Sequence, residues 1–84
     1  MKSDLMKLQS SPGDLAGVQK SREQLLGGRA GAALANYRDL VGRYPTVAEL
    51  WFELGNAAAG ELDFTLANRA YRRVRELAPR HAAL

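Results

Sequence analysis

The chain contains no cysteine. Disulfides, thiolate zinc sites and a cysteine nucleophile are therefore excluded. A cytoplasmic location is compatible with that absence and is the expectation here. Histidine occurs once, as His81, so a histidine metal cluster or a histidine-dependent triad lacks its partners; the residue reads as a surface side chain following Pro79. No apolar run approaches the roughly 20 residues needed to span a bilayer. The opening stretch MKSDLMKLQSSPGDL carries charges and no apolar segment of the signal-peptide kind, so no membrane partner is expected. A phosphate-cradling loop is also missing. Gly27-Gly28-Arg29-Ala30-Gly31 is not followed by Lys-Ser/Thr, and it comes after a helical pattern, not a strand.

What remains is ordinary in bulk. With 84 residues, 46% of them hydrophobic and 25% charged, the chain has the mix of one small globular domain of limited stability. The net charge of +3 is mildly basic. It permits acidic partners but falls short of the charge density of a nucleic-acid binder.

Apolar spacing divides the chain into helices. Residues 1–11 form a lead-in with Leu5, Met6 and Leu8, either a short helix or a frayed segment. A first helix is expected over 12–26, with Ser11 able to cap, Pro12 at the first helical position and Asp14 near the positive end of the dipole. Its apolar stripe, Leu15, Val18, Leu25 and Leu26 with Arg22 among them, is thin. Gly27-Gly28 ends it. A second helix over 29–43 has the richer stripe Ala30, Ala33, Leu34, Tyr37, Leu40 and Val41, closed by Pro45. Thr46 and Glu49 have capping-box spacing at the start of a third helix over 47–59, which carries Leu50, Trp51, Leu54, Ala57 and Ala58. After a turn at 60–62, Asp63 is the expected cap of a fourth helix over 63–78. The buried side of this helix reads Phe64, Ala67, Ala70, Tyr71, Val74 and Leu77.

An internal repeat lies under this pattern. Offset by about 34 residues, Ala33 overlies Ala67, Tyr37 overlies Tyr71, Leu40 overlies Val74 and Pro45 overlies Pro79. The second copy, 48–81, also carries Trp51, Leu54 and Gly55 in the order W-x2-L-G. With Ala67, Tyr71 and Pro79 in their places, the chain resembles the tetratricopeptide repeat (TPR) family, strongly over 48–81 and in about half of 14–47.

The resemblance implies an all-α fold in which two antiparallel helix-turn-helix hairpins stack as a short, right-handed TPR-like superhelix. That repeat domain would occupy residues 12–84. In the first copy Gly17, Lys20, Ser21 and Gln24 stand where Trp51, Leu54, Gly55 and Ala58 stand in the second. That helix either packs in another register, acts as a polar terminal cap, or is not a repeat helix in the usual sense. Because a third repeat would begin at His81, the expectation is that the chain is a piece of a longer array or covers its last hairpin by homo-oligomer formation.

The resemblance also implies a function: a protein-protein interaction scaffold that holds a peptide in a groove lined by the first helix of each hairpin. By position that groove presents Val18, Gln19 and Arg22 from the first unit and Glu49, Phe52, Glu53 and Asn56 from the second. Asn56 stands where carboxylate-binding members of the family place an asparagine. The cations of that clamp are missing and Glu49 and Glu53 stand on the same face, which argues against a C-terminal carboxylate as ligand. The plainer alternative is that Phe52 packs on a neighbour and the glutamates are solvated. Trp51 reads as core. Arg69, Arg72, Arg73, Arg75 and Arg80 cluster around the last helix. Cations there complement the dipole, Glu76 has helical spacing to Arg72 and Arg80, and no aromatic side chains are interleaved to stack on bases, so nucleic acid is not the expected partner. No catalytic, cofactor-binding or metal-ligating residues are expected, and no enzymatic activity. The partner expected is a protein or peptide, or a second copy of the chain.

Overall fold

Five helices follow one another in the computed structural model, which describes residues 3–77: α1 (Asp4–Gln9), α2 (Pro12–Leu26), α3 (Ala30–Arg43), α4 (Ala48–Gly60) and α5 (Phe64–Leu77). There is no strand among the described residues. Each helix packs on the next: α1 on α2, α2 on α3, α3 on α4 and α4 on α5. The lead-in thus holds a helix, the first of the two alternatives the sequence left open. Pro79, Arg80 and His81, with the expected last helical residue 78, lie outside the described residues.

The helix ends explain the spacing. Pro12 is the first residue of α2. Asp63 caps α5 as expected, its Oδ1 accepting from the Leu66 N–H at 3.1 Å. The capping box at Thr46 and Glu49 does not form. Helix α4 starts at Ala48 after Val47, one residue later than that motif requires. Both the amide and the hydroxyl of Thr46 instead donate to the Asp4 carboxylate, at 2.9 and 2.6 Å. Ser11 precedes α2 without a capping side-chain bond.

The two hairpin turns close alike. After α2 the Arg29 amide donates to the Gln24 carbonyl and the Gly28 amide to that of Leu25. After α4 the Asp63 amide donates to Ala58 and the Leu62 amide to Ala59. This paired pattern is the Schellman motif, which needs a left-handed residue at its centre. Gly28 supplies it in the first turn (φ 79°) and Leu62 in the second (φ 62°).

The core runs from α1 to α5. Ala33, Tyr37, Leu40 and Val41 of α3 meet Leu50, Leu54 and Ala57 of α4, with Leu8, Val18, Tyr44, Val47 and Ala70 completing the cluster and Leu25, Leu34 and Trp51 packed on its edge. Some of the paired positions share their environment, Ala33 with Ala67, Leu40 with Val74 and Ser21 with Gly55 all being buried. Others do not: Tyr37 is buried and Tyr71 only partly so, and Lys20 is exposed where Leu54 is buried. Three sequence expectations are corrected. Leu15 is 41% and Leu26 89% exposed, while Ser21 is fully buried. Helix α2 is thus rotated so that Val18, Ser21 and Leu25 are its inner residues. Burial of Ser21 is tolerated because its hydroxyl donates to the Gly17 carbonyl at 2.8 Å. Phe64, at the first position of α5, is 60% exposed and outside the core.

Candidate functional site

The groove begins with where α2 and α4 place their outer residues. Two adjoining cavities run along these helices, of about 400 Å³ and 300 Å³. The larger is lined by Arg22, Leu25, Leu26, Glu49, Phe52, Glu53 and Asn56. The smaller is lined by Val18, Gln19, Val47 and Leu50 and, from α1, by Leu5, Leu8 and Gln9. Arg22, Glu49 and Glu53 line both. All seven residues singled out in the sequence therefore lie along one depression.

Their charges are largely spent on one another. The Arg22 guanidinium reaches across from α2 and holds Glu53 with two bonds, Nε to Oε1 at 2.5 Å and Nη2 to Oε2 at 3.1 Å. Glu49 stands 3.9 Å from the same Nη2. The Tyr37 hydroxyl of α3 donates to Glu53 Oε1 at 3.3 Å. Glu53 thus joins three helices. Its partnership raises the Arg22 pKa, while burial, then Glu53, pushes the Tyr37 phenol well above its ordinary range. The Glu53 side chain is only 14% exposed against 72% for Glu49, so Glu49 is the acid the groove presents to solvent.

At the other end the Tyr71 hydroxyl donates to Asn56 Oδ1 at 2.7 Å. That bond leaves the Asn56 amide N–H groups for a ligand. The Tyr71 ring packs against Phe52, centroids 6.0 Å apart and tilted 47°. Phe52 meets the plainer expectation in part, since it packs on a neighbour yet stays half exposed. Gly55 makes this possible: a Cβ there would lie 2.4 Å from Tyr71 Cε1. Trp51 sits at the core edge with its indole N–H on the Pro45 carbonyl at 2.8 Å.

Away from the groove, Gln24 is half-buried and accepts from the Asn36 amide at 2.9 Å, and Lys20 is exposed. Glu76 pairs with Arg73 at 3.2 Å, three residues before it, and not with Arg72. Among the described residues no group of histidine and acidic side chains is arranged to hold a metal, and no helix is long and apolar enough to cross a membrane.

Sequence reasoning missed the role of α1. It also missed a cluster in which Asp14 of α2 accepts from Tyr44 and, at 2.6 Å, from Arg43. Asp4 lies far from Thr46 in sequence, as Asp14 does from Tyr44, and no local spacing announces such pairs.

Comparison with family models, with curated proteins and with solved structures finds no match to this chain.

Proposed function

We propose that this chain is a protein-interaction module of TPR type, two stacked hairpins that hold a peptide segment of a partner protein between α2 and α4. The observation that carries the reading is the convergence of Val18, Gln19, Arg22, Glu49, Phe52, Glu53 and Asn56 on one groove. The matched turns and the shared burial of Ala33 with Ala67 and of Leu40 with Val74 support the repeat architecture. Chemically the groove offers apolar anchorage at Phe52, Leu25 and Leu26, an exposed carboxylate at Glu49, and amide donors at Asn56. An extended or helical segment with an apolar side chain and a cation or carbonyl nearby meets those groups.

The test uses residues that do not hold the fold together. Glu53 is tied to Arg22 and Tyr37, so replacing it would confound binding with stability. Phe52→Ser and Glu49→Lys change exposed positions instead. Partner capture by pull-down is expected to fall in both while helical circular dichroism is kept. Full capture by both folded variants would refute the groove.

A second reading is favoured by a separate observation. Leu26, Leu62 and Phe64, at the hairpin turns, are 89%, 74% and 60% exposed. Large apolar side chains at one end of the stack suit self-association. Sedimentation equilibrium separates the two: a dimer dispersed by Leu26→Glu or Phe64→Glu supports self-assembly, and a monomer at all concentrations supports the free groove.

A further inference from the structure

Helix α1 has the smallest attachment of the five helices. Its six residues are too few to be helical alone. Ser3 caps it, accepting from the Met6 amide at 3.2 Å. It is held at two points, the Asp4 carboxylate on the amide and hydroxyl of Thr46 and the buried side chain of Leu8. Leu5 and Met6 remain half exposed. One of these anchors, Leu8, falls on the groove. Leu8 lines the smaller cavity together with Val18, Val47 and Leu50, and Thr46 stands next to Val47, two residues before α4 begins. Asp4 and Leu8 are four residues apart, on one face of the helix.

We propose that this end of the groove is a docking site for a short amphipathic helix with an acidic residue followed four positions later by leucine, and that α1 is its resident occupant, displaced when a partner brings the same pair. The acid meets Thr46, and the leucine enters the cavity lined by Val18, Val47 and Leu50. The proposal deepens the groove reading and rests on it. Tethering gives α1 an effective concentration on the order of millimolar, so an incoming segment must outcompete it. The chain then discriminates against weak ligands.

The test uses the full chain. In Asp4→Asn combined with Leu8→Ser both anchors are lost. The probe is a synthetic peptide of residues 3–10, SDLMKLQS, read by the fluorescence of the single tryptophan, Trp51, whose indole is bonded to Pro45 beside Thr46. The peptide is expected to bind the double variant about tenfold or more tightly than the native chain, because its tethered competitor is gone. Equal affinity for both chains, or no binding to a variant that keeps its helical circular dichroism, overturns the proposal. If the variant does not fold, hydrogen exchange of the native chain decides. Amides of α1 and Thr46 exchanging about tenfold or more faster than those of Tyr37 and Leu40 show that α1 opens alone; equal protection makes α1 an integral part of the fold and overturns it. Full partner capture by the Phe52 and Glu49 variants, by contrast, refutes the groove reading while leaving peptide docking at Thr46 intact, so the two failures are distinguishable.

Discussion

Gly28 and Leu62 stand one repeat length apart and hold the same left-handed backbone conformation, at φ 79° and 62°. Each sits at the centre of a hairpin turn with the same two hydrogen bonds. Only the first copy uses the residue that suits the geometry. In the second, a leucine side chain accepts a conformation that costs an L-residue roughly 1–2 kcal/mol.

Leu62→Gly is therefore expected to stabilise the chain. Leu62 is 74% exposed, so little burial is lost, and relief of strain exceeds the added chain entropy of glycine. The net gain is about 0.5–1 kcal/mol. Gly28→Ala is expected to lose about 1 kcal/mol by the opposite argument. Urea midpoints of both variants check the pair, and a destabilised Leu62→Gly would show that the leucine makes a contact outweighing its strain.

Gly55 and Gly17 occupy comparable mid-helix positions but should respond oppositely to alanine. A Cβ on Gly55 meets the Tyr71 ring at 2.4 Å, and the ring is held by Asn56 and Phe52. Overpacking of this kind costs about 1–3 kcal/mol. A Cβ on Gly17 meets nothing within 4 Å, so Gly17→Ala is expected to stabilise by about 0.5–1 kcal/mol through helix propensity. Thermal melts of the two variants give the sign of each effect.

These positions show which parts of the fold were legible in the sequence. The helices could be read because apolar spacing and small residues act locally. The face of α2 was misjudged because Ser21 satisfies its hydroxyl within its own helix, so a polar residue replaced Leu15 and Leu26 as the buried one. The capping box at Thr46 failed because Asp4, distant in sequence, took both donors of Thr46. The groove residues line two adjoining cavities, but their pairing was not visible in the sequence. Whether Glu53 is a ligand contact or a buried strut depends on the reach of Arg22 and Tyr37 from other helices.

Glu53 should prove a strut. In Glu53→Ala the Tyr37 hydroxyl, on a fully buried residue, loses its partner, and Arg22 loses both of its bonds to Glu53. A loss of about 1–3 kcal/mol is expected. Arg22→Met should cost less, under about 1 kcal/mol, because that side chain is 43% exposed and Glu53 keeps the Tyr37 bond. The double variant is expected to be less destabilised than the sum of the singles, since the residues share one network. Chemical denaturation of the full cycle measures the coupling, and strict additivity would mean that the ion pair contributes nothing to stability.

Stability should fall at both ends of the pH range for reasons that name residues. Asp14 is held below the ordinary value of 3.8, by the Tyr44 hydroxyl first and Arg43 second. Asp4 is lowered by Thr46. A carboxylate depressed on folding contributes stability that is present above the unfolded value and lost as pH falls through the folded one. The acid limb is therefore expected below about pH 4, and Asp14→Asn should flatten it. Tyr37 is shifted the other way, raised above 10.0 by burial and Glu53. Its neutral form is the one favoured by folding, so its contribution is present below pH 10 and lost as pH climbs toward the folded value. Tyr37→Phe should leave the acid limb in place and weaken the alkaline one. Urea midpoints from pH 3 to 11 for the native chain and the two variants test the assignment. An alkaline limb unchanged by Tyr37→Phe would move the cause to Tyr44, whose phenol is also raised, by its bond to Asp14.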